Sequence, residues 1–181
     1  MLGFLEAPSS NGFDPVIFIE SWVQADSTSE YDAAGCPSGW GAYEDNNCII
    51  NSESVRVPLV PVSDIAGVKL TGSATSGGVD TVLFSVNGRA HSVSQRASTV
   101  DINKIWRMTE FNIFGNGART QTVSLNRGSR VTVNVAVNDG TTNAPTCLGN
   151  AGQTFEQNNL TRGSCTAFGG VSPGISFPQS N

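Results

Sequence analysis

The sequence predicts an all-β protein, namely a two-sheet antiparallel β-sandwich of jelly-roll or immunoglobulin-like type with long disulfide-tied loops. Short segments rich in β-branched and aromatic residues alternate with Gly, Asn and Pro turn signals along most of the chain. Only 14% of the residues are charged, whereas exposed helix faces usually carry many Glu and Lys side chains. Four cysteines lie in segments of loop character. These observations favour many short strands over a helical fold.

The length of 181 residues suits one domain with its own hydrophobic core, and no repeat or linker marks a boundary. We therefore expect an N-terminal arm over residues 1–13, which lack periodicity, and one β-sandwich domain over residues 14–181. The net charge of −5 and the absence of Lys or Arg runs predict no nucleic-acid partner. No apolar run is long enough to cross a bilayer, so we expect no membrane span.

The first strand is predicted at residues 16–23, which combine β-branched with aromatic side chains and precede a polar stretch. Alternation along this strand places Phe18, Glu20 and Trp22 on one face. Residues 26–54 are rich in turn residues, which predicts a long irregular segment tied down by a disulfide.

The next segments predict an edge strand and a hairpin. Prolines within residues 55–62 indicate an edge strand, because proline cannot donate to a ladder. A strand follows at residues 68–72. The dipeptide Asn87–Gly88 lies between two alternating runs, which predicts a hairpin with a type I′ turn. Residues 98–105 are compatible with either a short helix or a loop.

The stretch from residue 106 to residue 145 predicts a meander of three strands joined by two tight turns. In its third strand a valine recurs at every second position, which indicates one buried face. A short closing strand is expected at residues 174–177. The three strands are predicted at residues 106–114, 120–125 and 130–137, and the turns at residues 116–117 and 126–128.

The cysteines Cys36, Cys48, Cys147 and Cys165 allow three pairings, and we favour the two bridges between sequence neighbours, 36 with 48 and 147 with 165. A zinc site is a poor alternative, because neither pair has CxxC spacing and the one histidine, His91, lies in a predicted hairpin strand, where we expect it at the surface. Four reduced cysteines in a cytosolic protein are the remaining alternative.

The first strand of the meander would place an aromatic ring, a carboxylate and an amide on one pleat. Carbohydrate-binding sheets use this combination, because a flat ring stacks on a sugar and a carboxylate accepts its hydroxyl hydrogens. A solvated strand edge would have the same composition. The predicted ligand-binding residues are Trp22, Trp106, Glu110, Asn112 and Asn158.

Catalysis would require two carboxylates in a defined geometry, and the sequence contains no complete catalytic constellation. Three glutamates are candidates, with Glu110 acting together with Glu20 or Glu156 as the pair of a glycosidase. The alternative to catalysis is that each of these glutamates is a solvated carboxylate or forms an ion pair with an arginine. Nucleotide-binding, serine-hydrolase and zinc-protease motifs are missing from the sequence.

Two oxygen-rich segments could hold Ca²⁺, at residues 139–145 and at residues 44–47. Neither has the ordered ligand spacing of a calcium loop, so Asx-turn chemistry is favoured over a metal site. The sequence therefore predicts no cofactor, with calcium as the alternative.

Three segments carry a resemblance to a group of proteins. TEFNIFG at residues 109–115, DGTTNAPTC at residues 139–147 and EQNNL at residues 156–160 resemble motifs of exported, functionally uncharacterised proteins of bacteria and fungi. Many members have GETNNL where this chain has TFEQNNL at residues 154–160. The resemblance implies export and supports the disulfides, and it implies no substrate.

Three functional hypotheses follow, in this order of preference. The first is a secreted, non-catalytic β-sandwich that recognises an extracellular surface ligand, with a glycan favoured, in a lectin-like or host-interaction role. The second is a jelly-roll glycoside hydrolase with paired glutamates. The third is a structural subunit of a coat or filament, for which the oligomeric state is the relevant property.

Overall fold

The computed structural model describes residues 2–9, 12–43, 46–113, 123–148 and 158–181. Within them the protein is built mainly of antiparallel strands, with two short α-helices, which confirms the predicted all-β class. The chain divides into two compact units, Met1–Trp106 and Arg107–Asn181. The single domain predicted from the sequence stays a prediction, and the two units are described in turn.

The first unit begins with a five-stranded sheet centred on a long strand, β2. Its strands are β1 (Leu2–Ser9), β2 (Gly12–Gln24), β3 (Gly41–Tyr43), β4 (Asn47–Asn51) and β5 (Val55–Arg56). All pairings in this sheet are antiparallel: β1 lies on one side of β2, β4 and β5 pair with β2 as well, and β3 pairs with β4. Residues 2–9 therefore form a strand where the sequence predicted an arm. They pair with β2, and the sequence of residues 2–9 has no periodicity that would predict a strand.

The segment predicted as an irregular loop, residues 26–54, contains a helix and a hairpin. Helix α1 (Thr28–Ala34) begins after Ser27, whose Oγ accepts a hydrogen bond from the backbone N–H of Glu30 at 3.2 Å. The Glu30 carboxylate in turn accepts from the backbone N–H of Asp26 at 2.9 Å. These two hydrogen bonds stabilise the first turn, and Ser followed three residues later by Glu is a sequence signature of a helix start.

A second, three-stranded sheet in the first unit consists of β6 (Lys69–Ser73), β7 (Val79–Val86) and β8 (Arg89–Arg96). The turn between β7 and β8 has positive φ at Asn87 (50°) and Gly88 (76°), as a type I′ turn requires, which confirms the predicted hairpin. Short 3₁₀ turns flank the sheet at Val62–Gly67 and Ala97–Thr99. The ambiguous residues 98–105 include helix α2 (Ile102–Ile105).

The core of the first unit lies between its two sheets, because side chains from β2 and from the β7–β8 hairpin pack against each other. Ser21 on β2 donates a hydrogen bond to Gln95 Oε1 on β8 at 2.8 Å, which links the two layers. This arrangement confirms the sandwich. Its buried apolar members are Ile17, Val57, Val82, Phe84, Val86 and Val93.

His91 lies on the inner face of the three-stranded sheet, directly opposite Phe84 in the β7–β8 register. Its ring is half-buried, and the Nε2 atom is buried without a hydrogen bond to any described residue. The expected surface position is therefore wrong. Packing against β2 decides which side of the hairpin faces the core. The sequence of residues 89–93 alone does not indicate that side.

The second unit contains a four-stranded antiparallel sheet centred on β12. On β9, valines that are buried or half-buried alternate with exposed residues. This pattern confirms the predicted strand and its buried face. The turn before β9 closes through Ser129 N–H donating to Asn126 O at 3.0 Å. The strands are β9 (Arg130–Ala136), β10 (Thr161–Arg162), β11 (Thr166–Phe168) and β12 (Gly174–Ser180), with β9, β10 and β11 all paired to β12.

Residues 106–113 are not in a strand, so the predicted first strand of the meander is wrong over these residues. Alternation of apolar and polar side chains in residues 106–113 is therefore not sufficient for a strand, because strand formation also depends on pairing with a distant segment. Residues 114–122 lie outside the described residues. Of the predicted second strand, Val123 makes an isolated parallel bridge to Asn158 and residues 124–125 are not in a strand.

A glycine on β12 allows the close approach of β9. A Cβ on Gly174 would lie 2.6 Å from the backbone oxygen of Val135 and 3.0 Å from the ring of Phe168. We expect Gly174→Ala to lower the free energy of unfolding of the second unit by about 1–3 kcal/mol through overpacking. Thermal unfolding followed by far-ultraviolet circular dichroism measures this loss.

Gly72→Ala is the matched control for this substitution. Gly72 also lies in a strand, has no positive φ, and has open space around the position of a Cβ. The alanine should leave stability unchanged or raise it slightly. Equal losses for Gly72→Ala and Gly174→Ala would contradict the packing argument.

Candidate functional site

The outward face of β2, β4 and β3 carries an aromatic and polar cluster. The inward face of β2 is identified by Ile17 in the core and by Ser21, which bonds to the other sheet. Because side chains alternate along a strand, Glu20 and Trp22 project from the opposite, outward face. The register adds the residues opposite them on the neighbouring strands. The outward face therefore comprises Glu20, Trp22, Gln24, Tyr43, Asn47, Ile49 and Asn51.

Two aromatic rings form the centre of this face. The rings of Trp22 and Tyr43 lie edge to face, with centroids 4.9 Å apart and an interplanar angle of 84°. This geometry is the favourable one for aromatic pairs, since the positive edge of one ring meets the negative face of the other. Tyr43 is 44% exposed, and Trp22 is half-buried. The pair is thus held in place while part of its surface remains open to solvent.

A carboxylate orients the indole. Trp22 Nε1 donates a hydrogen bond to Glu20 Oε1 at 2.7 Å, two residues away on the same strand face. A hydrogen bond to a charged acceptor is stronger than a neutral one, and this bond fixes the plane of the ring. Glu20 Oε2 accepts no hydrogen bond from any described residue. One oxygen of Glu20 therefore serves the structure, and the other is open to a ligand.

Amide side chains border the aromatic pair. Gln24 and Asn51 are exposed, and neither side chain makes a hydrogen bond with the described residues. The Tyr43 hydroxyl likewise has no partner among them. Amides and a phenol hydroxyl can each donate and accept, so together with Glu20 they can satisfy several hydroxyl groups of one ligand.

A disulfide holds Tyr43 in this position. Cys36 and Cys48 form a bridge, and β3 with Tyr43 lies inside the loop that the bridge closes. Cys48 is buried on β4, directly beside the strand that carries Trp22. The second predicted bridge, Cys147 to Cys165, is also present, so the favoured pairing is confirmed.

Of the predicted ligand-binding residues, Trp22 lies on this face, together with the catalytic candidate Glu20. Trp22 and Glu20 share one face, as predicted, but Phe18 from the same grouping is 4% exposed and cannot contact a ligand. Trp106 ends helix α2 and is 38% exposed. The pleat expected to unite Trp106 with Glu110 and Asn112 does not form, because residues 106–113 are not in a strand.

The remaining candidates lie in the second unit or outside the described residues. Asn158 has a structural role: its Nδ2 donates to Ile113 O at 3.1 Å and its Oδ1 accepts from Leu160 N–H at 2.9 Å. Glu110 is exposed and not part of a strand. Glu156 lies outside the described residues, as do residues 44–45 of one oxygen-rich segment.

The other oxygen-rich segment adopts the favoured Asx-turn geometry. Asp139 Oδ1 accepts from Thr141 N–H at 2.9 Å and from Thr141 Oγ1 at 2.8 Å. These hydrogen bonds, first that from the backbone and then that from the side chain of Thr141, lower the pKa of Asp139. Within the described ranges, no three His, Cys, Asp or Glu side chains come together to hold a metal ion. The expectation of no cofactor, with calcium as the alternative, stays a prediction.

Tyr43 was not among the predicted ligand-binding residues. The signal available was its position five residues before Cys48, within the segment that the favoured bridge closes. With a hairpin inferred there, a tyrosine would fall on the face opposite the buried cysteine, which is where the structure places it.

Comparison of the chain with protein-family models, curated proteins and solved structures gives no significant match. None of the helices in the described residues is long and apolar enough to cross a membrane.

Proposed function

We propose that this protein is a secreted, non-catalytic glycan-binding protein, and that the outward face around Trp22, Tyr43 and Glu20 is its ligand site. The observation that carries the proposal is an aromatic pair that is partly exposed and held by a carboxylate through the 2.7 Å bond from Trp22 Nε1 to Glu20 Oε1. Glycan binding is inferred from the chemistry of this face.

Sugars have two kinds of surface, and this face complements both. The C–H faces of a pyranose pack on an aromatic ring, and its hydroxyls donate to carboxylates and exchange hydrogen bonds with amides. Glu20, Gln24 and Asn51 supply such groups beside the rings. Because the indole is already fixed by Glu20 and Tyr43, little side-chain entropy is lost when a ligand binds. Preorganisation of this kind favours recognition over non-specific adhesion.

Two disulfides support secretion, because such bridges persist in oxidising compartments and are rare in the cytosol. The resemblance to exported proteins agrees with this assignment. An extracellular location would also bring the site into contact with cell-surface and cell-wall glycans.

The test is a glycan array followed by titration calorimetry with the strongest ligand. Trp22→Ala should weaken binding at least tenfold, which corresponds to about 1.4 kcal/mol, because the stacking surface is lost. Trp106→Ala is the matched control, since this tryptophan is exposed but lies after α2 rather than in the cluster. Its affinity should equal that of the wild type. If both variants lost binding, or if neither did, the assignment of the ligand site to this face would be wrong.

Two further outcomes would favour the other functional hypotheses. If the wild type hydrolyses the bound glycan and Glu20→Gln does not, the protein is a glycosidase. If no glycan binds and light scattering shows concentration-dependent assembly, a structural subunit is the better description.

A further inference from the structure

A small cleft lies at one end of the sheet of the second unit. Its walls come from the segment after β9 and from the residue before β12. The cavity has a volume of about 130 Å³. Pockets that enclose a drug-sized ligand usually have about 300–1,000 Å³, so this cleft suits a single side chain rather than an oligosaccharide. It is lined by Val137, Asp139, Thr141, Asn143, Ala144, Pro145 and Pro173.

The cleft is held by the backbone of the segments around it. Val137 N–H donates to Pro173 O at 2.9 Å, and Gly170 N–H donates to Thr142 O at 2.9 Å. Gly169 lies so close to this loop that a Cβ on it would be 2.7 Å from Thr142 O. The Cys147 bridge ties the same loop to β11 through Cys165. The walls are therefore formed before any ligand binds.

The chemistry of the cleft combines one anion with an apolar wall. The Asp139 carboxylate is exposed, and both hydrogen bonds from Thr141 go to Oδ1. Neither bond from Thr141 uses Oδ2, so this oxygen is left for a ligand. The same Thr141 bonds lower the pKa of Asp139, which keeps the group ionised in mildly acidic solution. Val137, Pro145 and Pro173 supply the aliphatic surface.

We propose that this cleft binds a lysine side chain of a partner polypeptide. The methylene stem of lysine would lie against the valine and the two prolines, as such stems do on apolar surface, while the ammonium reaches the carboxylate. Arginine is less suitable, because its guanidinium favours two acceptor oxygens side by side and Oδ1 is already occupied. A compact ammonium needs a single open oxygen, which Asp139 Oδ2 provides.

The experiment uses a capped Gly-Lys-Gly peptide and the same peptide with an Nε-acetylated lysine, each titrated into the ¹⁵N-labelled full chain. We expect millimolar binding of the first peptide, weakened by salt, with amide shifts confined to residues 137–144 and to residues 172 and 174 beside Pro173, because proline has no amide hydrogen. The acetylated peptide should bind at least tenfold more weakly. Equal binding of both peptides, shifts elsewhere, or no binding would overturn the proposal.

Two variants separate the charge from the shape of the cleft. Asp139→Asn keeps an oxygen that accepts from Thr141, so the turn is retained while the charge is lost, and affinity should fall at least tenfold. Asp64→Asn, at a half-buried carboxylate of the first unit, is the control for the loss of one negative charge and should bind normally. Ala144→Leu fills the cleft without touching the charge and should also abolish binding. Normal affinity in Asp139→Asn or in Ala144→Leu would exclude this cleft.

The source of the lysine is tested in the same preparation. Lys69 and Lys104 are exposed on this chain, so a second copy could supply the side chain. Light scattering could show that the wild type is a dimer and that Asp139→Asn is a monomer. The lysine would then come from a second copy of this chain, which would overturn the part of the proposal that names a partner polypeptide. A monomer that binds the peptide would support it. Neither result depends on the glycan site, because Trp22→Ala should leave peptide binding intact.

Discussion

Replacing Phe84 by alanine should lower the free energy of unfolding of the first unit by about 3–5 kcal/mol. Phe84 is 3% exposed and belongs to the core cluster between the two sheets. Truncation removes a large apolar surface from the core and leaves a cavity that the surrounding strands cannot fill without breaking their ladders. Because marginal stability is typical of domains of this size, the variant should be close to unfolding at 37 °C.

Leu83→Ala is the matched control, because Leu83 precedes Phe84 on β7 but faces outward and is 40% exposed. Its loss should be well below that of Phe84→Ala. Urea unfolding followed by tryptophan fluorescence is the appropriate measurement, since all three tryptophans, at positions 22, 40 and 106, lie in the first unit. If the two alanine variants unfolded at the same urea concentration, the core would not lie between these sheets.

Removing the first disulfide by Cys36→Ser with Cys48→Ser should lower the stability of the first unit by about 3 kcal/mol. The bridge closes a loop with a sequence separation of 12 and restricts the unfolded chain. It also holds β3 on β4, and β3 carries Tyr43. Glycan affinity should therefore fall at least tenfold even at temperatures at which the variant remains folded, because Trp22 loses its aromatic neighbour.

The control is the double variant Cys147→Ser with Cys165→Ser, which removes the bridge of the second unit. Its stability should also fall, but its glycan affinity should be unchanged. Calorimetric titration of both double variants with the glycan identified on the array separates the effect on stability from the effect on glycan affinity. Undiminished affinity in the Cys36/Cys48 variant would show that the bridge does not maintain the ligand face.

Several features of the fold could be predicted because their signals are local. The Asn87–Gly88 turn requires positive φ at two successive residues, a conformation that this dipeptide tolerates well. The valines of β9 alternate with polar residues, and that pattern is sufficient for a strand with one buried face. The disulfide pairing followed from short sequence separation.

The predictions that were wrong concern features that depend on contacts between distant parts of the chain. Residues 106–113 have the alternation of a strand but are not in a strand, and β1 forms because it pairs with β2. His91 is inward-facing because the β7–β8 hairpin packs on β2 with that side. In each case the decisive interaction joins segments far apart in sequence, and single-strand patterns contain no information about it.

The sequence by itself determined the all-β class, the two bridges, and the placement of Glu20 and Trp22 on one face of one strand. Alternation along a strand and the chemistry of cysteine and turn residues are properties of neighbouring residues, so they can be inferred without coordinates. Only the tertiary structure decided that Tyr43 and Asn51 share that face with them. Strand pairing assembles a binding surface from separate segments, and it depends on the packing of the whole sheet.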